Sequence, residues 1–242
     1  HVDETFIKMM VKGAGKCKKA YMWCRLTGIG PPMIAFHFSP SRSQDVAESL
    51  FGDYSGTIIR DSYIGYDKLE CDVACCWAHV RRYLVEAFDN GYLKVEPLLK
   101  LVRNLYQIER EAKECAEKKG TETALFQERK TARRVSQKLV AEFFKQCRAL
   151  RENERPTSPV AKAVAYALNI EAELKKFLED SRLNIDNNPA ERLNRGVAII
   201  RKNSLFAGSE PGGQRLAILY SFAASCKANN ICFRKWLEDT LP

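Results

Sequence analysis

Two apolar periodicities divide this chain, and together they restrict it to a mixed α/β architecture. Over the first 60 residues, Val2–Met10, Lys18–Leu26 and Pro32–Ser39 are short runs rich in β-branched and aromatic residues. They are separated by Lys12-Gly13-Ala14-Gly15-Lys16 and by Thr27-Gly28-Ile29-Gly30-Pro31-Pro32. The simplest reading is three consecutive antiparallel strands joined by tight turns. Between residues 92 and 180 the spacing changes. Leu98, Leu101, Leu105, Ile108 and Ala112 recur at helical intervals, as do Ala132, Val135, Leu139, Phe143 and Cys147. A third set runs through Val160, Val164, Leu168, Glu171 and Leu174 to Leu178, opened by Thr157-Ser158-Pro159. After it only helical signals return, so the pattern predicts a helical subdomain inserted into an α/β core. At 45% apolar residues the chain has enough to bury that core.

The remaining segments fit between these blocks. A short helix is expected over about Ser43 to Phe51, with Ser41 or Ser43 as its cap. Gly56–Asp61 is a short apolar run without alternation, as in a strand covered on both faces, and it ends in Asp61. Ser62–Leu69 reads as loop or short helix, Val73–Cys76 as another apolar run, and Trp77–Phe88 as a helix stopped by Asn90-Gly91. Asn187-Asn188-Pro189-Ala190-Glu191 opens a helix, with Asn188 at the cap and Pro189 at the first helical position. Ser204–Gly213 reads as a loop, and Gln214–Asn229 and Phe233–Leu241 as closing helices. The expected division is 1–91 for the first part of the core, 92–180 for the helical insertion, and 181–242 for the helices that complete the core.

The formal net charge is +9. Residues 1–91 hold 11 Lys/Arg against 11 Asp/Glu, residues 92–180 hold 19 against 14, and residues 181–242 hold 9 against 5. The excess therefore sits in the middle and C-terminal segments, and a basic surface favours a polyanionic partner through phosphate contact and counterion release. No run of 18 uncharged apolar residues occurs, so no membrane span is expected, and no signal peptide opens the chain. Nine scattered cysteines suit a reducing, intracellular protein better than a disulfide scaffold. The absence of an initiator Met suggests a fragment of a longer protein.

Three acids stand at the ends of elements: Asp3 on the first strand, Asp61 closing the central apolar strand, and Glu191 opening a late helix. Carboxylates are hard ligands, and two-metal phosphoryl transfer needs such a set around a pair of Mg²⁺ ions. Each acid also has an ordinary reading. Asp61 before Ser62 suits a turn, Glu191 suits a capping box, and Asp3 suits a strand surface. Spacing alone does not choose between these.

The blocks around the acids do. His1-Val2-Asp3-Glu4-Thr5, Arg60-Asp61-Ser62-Tyr63-Ile64-Gly65-Tyr66, Cys76-Trp77-Ala78-His79-Val80-Arg81-Arg82, Ile185-Asp186-Asn187-Asn188-Pro189-Ala190-Glu191-Arg192 and Arg201-Lys202-Asn203-Ser204-Leu205-Phe206-Ala207-Gly208-Ser209 occur in that order, followed by Tyr220-Ser221 and Lys227-Ala228-Asn229. In order and content they resemble the insertion-sequence transposases of the IS66 family over nearly the whole chain. Ser62 stands where that family usually has Gly, and Ser204 where an aromatic is usual. The resemblance implies a ribonuclease-H-like core, with a five-stranded mixed sheet flanked by helices and an all-helical subdomain inserted before the glutamate helix. It implies a D-D-E triad of Asp3, Asp61 and Glu191 serving as both catalytic and metal-binding residues. The cofactor would be two Mg²⁺ ions, with Mn²⁺ able to substitute. The partners would be double-stranded DNA, as transposon ends and target, and further copies of the chain assembled on that DNA, in the bacterial cytoplasm at the nucleoid. A ribonuclease-H-like nuclease or resolvase that cuts without joining is the alternative.

Neighbouring residues carry weaker readings. Cys76-x-x-His79 is a buried thiol with a hydrogen-bonded imidazole, a zinc site with Cys71 and Cys75, or, following related transposase groups, a place where His79 meets DNA. No second Cys-x-x-Cys pair supports zinc. Arg192, Arg195, Arg201 and Lys202 cluster around the glutamate helix, where phosphate contact is favoured over plain solvation. Trp77 and Tyr63 read as core residues. Glu4 points to the opposite strand face from Asp3, which argues against it as a ligand.

Overall fold

The computed structural model describes residues 1–241. The strands are β1 (Val2–Met10), β2 (Cys17–Leu26), β3 (Ile34–Ser39), β4 (Thr57–Arg60) and β5 (Asp72–Cys75). The helices are α1 (Gln44–Phe51), α2 (Trp77–Asp89), α3 (Glu96–Glu117), α4 (Glu122–Asn153), α5 (Pro159–Asn169), α6 (Glu171–Glu179), α7 (Asn188–Ser204), α8 (Glu210–Ala228) and α9 (Phe233–Thr240). The chain divides into two compact units, His1–Asp72 with Asn187–Pro242, and Val73–Asp186. The second takes in β5 and α2 as well as the helices of residues 92–180.

In the first unit β1, β2 and β3 form an antiparallel sheet in sequence order. The expected single five-stranded sheet is not what forms, because the strands fall into sheets of three and of two. The backbone of β1 explains the break. The Leu26 amide donates to the His1 carbonyl, so the odd-numbered residues of β1 face β2 and the even-numbered amides and carbonyls face outward. Those outward groups find other partners. The Glu4 N–H is taken by the Asp3 carboxylate, the Phe6 carbonyl by Arg201, and the Lys8 carbonyl and Met10 N–H by Ala207. β4 lies against β1 without being hydrogen-bonded into its sheet. To bring Ala207 to this edge, the chain leaves α7 through Leu205 at φ +59°, a conformation that non-glycine residues seldom adopt.

Ile7, Met9, Ala20, Met22, Cys24, Phe36 and Phe38 pack under Val197 of α7 and Ala217 and Ala224 of α8. α8 also closes the outer edge of β3. Ser221 Oγ accepts from the Phe36 amide at 2.7 Å and Ser225 Oγ from the Ile34 amide at 3.0 Å. Four helical residues rise about 6 Å and two strand residues about 6.6 Å, so serines spaced i, i+4 match alternate amides of a strand. Asn229, one turn further along, donates to the Pro32 carbonyl. Two glycines allow the close approach of these helices. A Cβ on Gly196 would lie 1.6 Å from the Tyr220 hydroxyl, and one on Gly213 would lie 2.5 Å from the Phe38 ring.

Several boundaries differ from the sequence reading. The helix expected from Val160 through Leu178 breaks at Ile170 (φ −118°, ψ 29°) into α5 and α6. Residues 210–213 are helical rather than loop, because Ser209 Oγ caps the Gly212 amide and Pro211 occupies the first turn. Ser43 is the N-cap residue of α1 but makes no side-chain cap bond. The expected Ser158 start holds, with its Oγ accepting from Ala161 N at 3.0 Å.

The second unit is built around Trp77, fully buried among Phe143, Phe144 and Phe177, with its indole N–H donating to the Leu174 carbonyl. Beside this cluster Arg133 makes a bidentate pair with Glu109 at 2.7 and 2.9 Å and donates to the carbonyls of Phe177, Asp180 and Leu183. All five donors of a planar guanidinium suit such a junction, whereas an ammonium does not. Without Arg133, Glu109 keeps only Arg129, whose Nε lies 3.0 Å from Oε2, and three carbonyls lose their donor. Arg133→Ala should therefore cost roughly 3–5 kcal/mol in urea denaturation, and Arg133→Lys should recover only part of it.

Candidate functional site

Alternation along β1 separates its two acids. Asp3 lies opposite Cys24 and Glu4 opposite Trp23, so their side chains leave the sheet on different faces. Asp3 is held by two donors, the Glu4 amide to Oδ1 at 3.0 Å and Asn194 Nδ2 to Oδ2 at 2.8 Å. Asp61 follows directly after β4, and its Oδ1 accepts from the Tyr63 amide at 3.1 Å, a local aspartate turn. The turn reading of Asp61 is thus correct as far as it goes. The buried Arg60 fixes that turn from behind, donating to the carbonyls of Asp61 and Tyr63 and to the Asp67 carboxylate at 2.8 Å.

The electrostatics of this corner are unfavourable to charge. Burial, then the neighbouring Glu4, push the Asp3 carboxyl from its ordinary 3.8 up to about 7. The Asn194 hydrogen bond works against that rise, and the Asp61 charge adds to it. Asp3 and Asp61 therefore lie close enough to feel one another. Glu4 is also raised, first by burial, and is held by the Tyr66 hydroxyl and by the Arg42 guanidinium, whose Nε lies 2.7 Å from Oε1. Arg42 in turn stacks over the Tyr63 ring at 3.5 Å, and the Tyr63 hydroxyl donates to the Arg42 carbonyl. Glu4, Arg42, Tyr63 and Tyr66 thus support the Asp61 turn from the face opposite Asp3.

The glutamate helix is tied to the same strand. Asn187, not Asn188, is the N-cap residue of α7, and its side chain does not cap. Instead Nδ2 donates to the Val2 carbonyl at 2.7 Å and Oδ1 lies 3.0 Å from His1 Nδ1. Glu191 sits four residues past the cap residue, its amide bonded to the Asn187 carbonyl, which is not the capping-box position. Asn194 follows it by one turn on the same helix face. Hence Asn194 is joined to Asp3, Asp61 lies near enough to Asp3 to act on its charge, and Glu191 stands half-buried one turn before the residue that reaches Asp3.

Among the other expected site residues, Arg192, Arg195 and Lys202 are exposed. Arg201 is partly committed within the fold, stacked on the Phe6 ring at 4.0 Å and donating to the Phe6 carbonyl at 2.7 Å. Cys76 is buried at the start of α2 and His79 half-buried in its first turn, both in the second unit. Sequence reasoning missed Asn194, Asn187, Arg42 and Tyr66. Asn194 carried one usable signal, its i+3 spacing from Glu191.

Oxygen is the donor type at Asp3, Asp61 and Asn194. Two half-buried carboxylates lie near one another, and Asn194 Oδ1 is buried beside Asp3 with no hydrogen-bond partner among the described residues. A hard divalent cation fits such a donor set. No helix among the described residues is long and apolar enough to cross a membrane, and no disulfide joins the cysteines.

A half-buried acidic corner on a sheet-and-helix scaffold is the kind of site found in metal-dependent enzymes acting on phosphodiesters. The model of the transposase IS66 family matches residues 1–215, and the chain belongs to that family. Its relatives include two uncharacterized proteins of Sinorhizobium fredii, y4qI and y4jD, at 31% and 30% identity over 99% of this chain. A third, y4hP of the same organism, is 26% identical over 100% of the chain. The chain spans about half the length of these relatives, 46% to 48%. No solved structure matches it.

The raised Asp3 carboxyl sets a sign for pH dependence. The folded state holds the Asp3 proton up to about pH 7, whereas the unfolded chain releases it near 3.8, so stability falls as pH rises between those values and then levels off. In chelator, Asp3→Asn should melt higher than the parent chain at pH 8 and close to it at pH 5. Asn194→Ala removes the bond that favours the charged form, so the Asp3 titration followed by NMR should move above 7.

Proposed function

We propose that this chain carries the catalytic centre of a DNA transposase with a ribonuclease-H-like core, and that Asp3, Asp61 and Glu191 form its triad. The observation that carries this reading is the half-buried Asp3 carboxyl. It lies near Asp61 and is hydrogen-bonded by Asn194, which shares a helix face with Glu191. A carboxyl raised to about 7, first by desolvation and then by neighbouring carboxylates, is a good ligand, because a cation offsets both. β4 lying against β1 supports the fold assignment, since Asp61, directly after β4, lies near enough to Asp3 on β1 to act on its charge.

The reaction would be hydrolysis of a phosphodiester at a transposon end, which breaks the P–O3′ bond and frees a 3′-hydroxyl. That hydroxyl then attacks a target phosphodiester, forming one P–O bond as another breaks. Asp3, Asp61 and Glu191 would hold two divalent cations, Mg²⁺ or Mn²⁺, which supply charge neutralisation and a nucleophile at neutral pH when bound. Asn194 orients the Asp3 oxygens, and Arg60 with the Arg42–Glu4–Tyr66 set keeps the Asp61 turn in place. Arg192, Arg195 and Lys202, exposed on α7, would meet phosphates, and Arg201 would do so only with the part of its guanidinium not held by Phe6. His79 would meet DNA from α2. Pairing two ends requires more than one copy of the chain on DNA.

The test is nicking and joining of labelled duplex DNA in Mg²⁺. Asp61→Asn should lower both by at least ~100-fold while the chain stays folded. Full activity in Asp61→Asn would sink the triad. Products of hydrolysis alone, with no joined strands, would favour a nuclease or resolvase.

A further inference from the structure

The β1–β2 hairpin carries a charge pattern that averaging over residues 1–91 conceals. From Phe6 to Ala20 there are five lysines and no acid: Lys8, Lys12, Lys16, Lys18 and Lys19. All five are exposed, and none forms an ion pair among the described residues. Lys8 lies directly opposite Lys19. The Leu26–His1 bond places this pair among the non-hydrogen-bonded positions, where facing side chains approach most closely. Like charges placed directly across strands destabilise a hairpin. Nothing on the neighbouring strand or helix offsets them, and a third cation converges instead. Lys19 and Arg201 both stand over the Phe6 ring, at 5.7 and 4.0 Å. At the tip, Lys12 and Lys16 flank a turn made by Gly13 (φ +73°) and Gly15 (φ +60°) and closed by the Val11 amide on the Lys16 carbonyl.

We infer that this hairpin is a duplex-DNA arm, its opposed lysines kept as a ladder for the phosphate backbone. The inference rests on the transposase reading for the identity of the polyanion, and on the sheet for its reach. Asp3 and Gly13 at the hairpin tip are ten residues apart along β1 and the turn that follows it, a reach of at most about 33 Å at ~3.3 Å per residue. That length matches about ten base pairs, or one turn of B-DNA, at ~3.4 Å per pair. By strand alternation Lys8 and Lys19 stand on the Glu4 face and Lys18 on the Asp3 face, so a duplex with its scissile phosphate at the carboxylates runs along the edge of the arm, and phosphates about one turn away meet Lys12 and Lys16 at its tip. The contacts are to the backbone and carry no base preference.

The test compares the chain with a variant carrying Lys12→Gln, Lys16→Gln, Lys18→Gln and Lys19→Gln, for binding to a 30-base-pair duplex over a range of salt. Each lost phosphate contact should reduce the slope of log K against log salt by about 0.9, so a variant losing four contacts should lose about 3.6 from the slope and bind at least ~10-fold more weakly near 0.1 M salt. Its melting temperature should be equal or higher, because repulsion is removed. A hairpin needed only for folding predicts a lower one. Shortening the duplex to about 5 base pairs on either side of the nick should abolish the difference between the two proteins on one side only. An unchanged salt slope, or weaker heparin binding with unchanged DNA binding, would overturn the inference. The catalytic reading is judged separately by nicking in Asp61→Asn, so failure of one leaves the other standing.

Discussion

The first unit is organised by the outward edge of β1. A strand edge left to water invites another strand, and a buried edge left without partners is costly. Here successive groups along that edge are met by the Asp3 carboxylate, the Arg201 guanidinium and the Ala207 backbone. The same edge thus anchors the carboxyl, receives the far end of α7 and turns the chain toward α8. Asn187 does the corresponding task at the near end, fastening the start of α7 to Val2. With both ends of α7 attached to one strand, Glu191 and Asn194 have little freedom in where they stand relative to Asp3.

Much of this was legible in the sequence. The three antiparallel strands, the buried strand ending at Asp61 and the long helices of residues 92–180 follow from period and turn chemistry, and the family from ordered motifs. What escaped did so for identifiable reasons. The break at Ile170 involves no Gly or Pro, and the apolar spacing from Leu168 to Leu174 continues across it. Gly212-Gly213 reads as loop, yet Ser209 caps a helix there and Gly213 is small because Phe38 occupies the space. The three-plus-two division of strands depends on which groups reach the β1 edge first, and those come from residues about two hundred positions away. The set holding Glu4 is equally non-local, since Arg42 and Tyr66 have no spacing that ties them to it. Segment averages of charge pointed to the middle and the C-terminus, while the densest acid-free run of lysines lay in a segment that sums to zero.

The family motifs also divide by what they do. Arg60 and Tyr66 shape the Asp61 turn, Asn187 secures a helix to a strand, and Ser221 and Asn229 serve β3. Several residues that mark the family are thus framework for the acids rather than candidates for chemistry, which explains how a motif can be long when the proposed reacting groups are few.

The serines of α8 have a consequence of another kind. By offering hydroxyls at the pitch of a strand, the helix imitates the next strand and terminates the sheet. A sheet ended this way has no template for growth on that side, so copies of the chain at high local concentration do not zip together through their β3 edges. Self-association is then left to surfaces that selection can tune, and the risk of fibrous assembly is designed out at the cost of two hydroxyl groups.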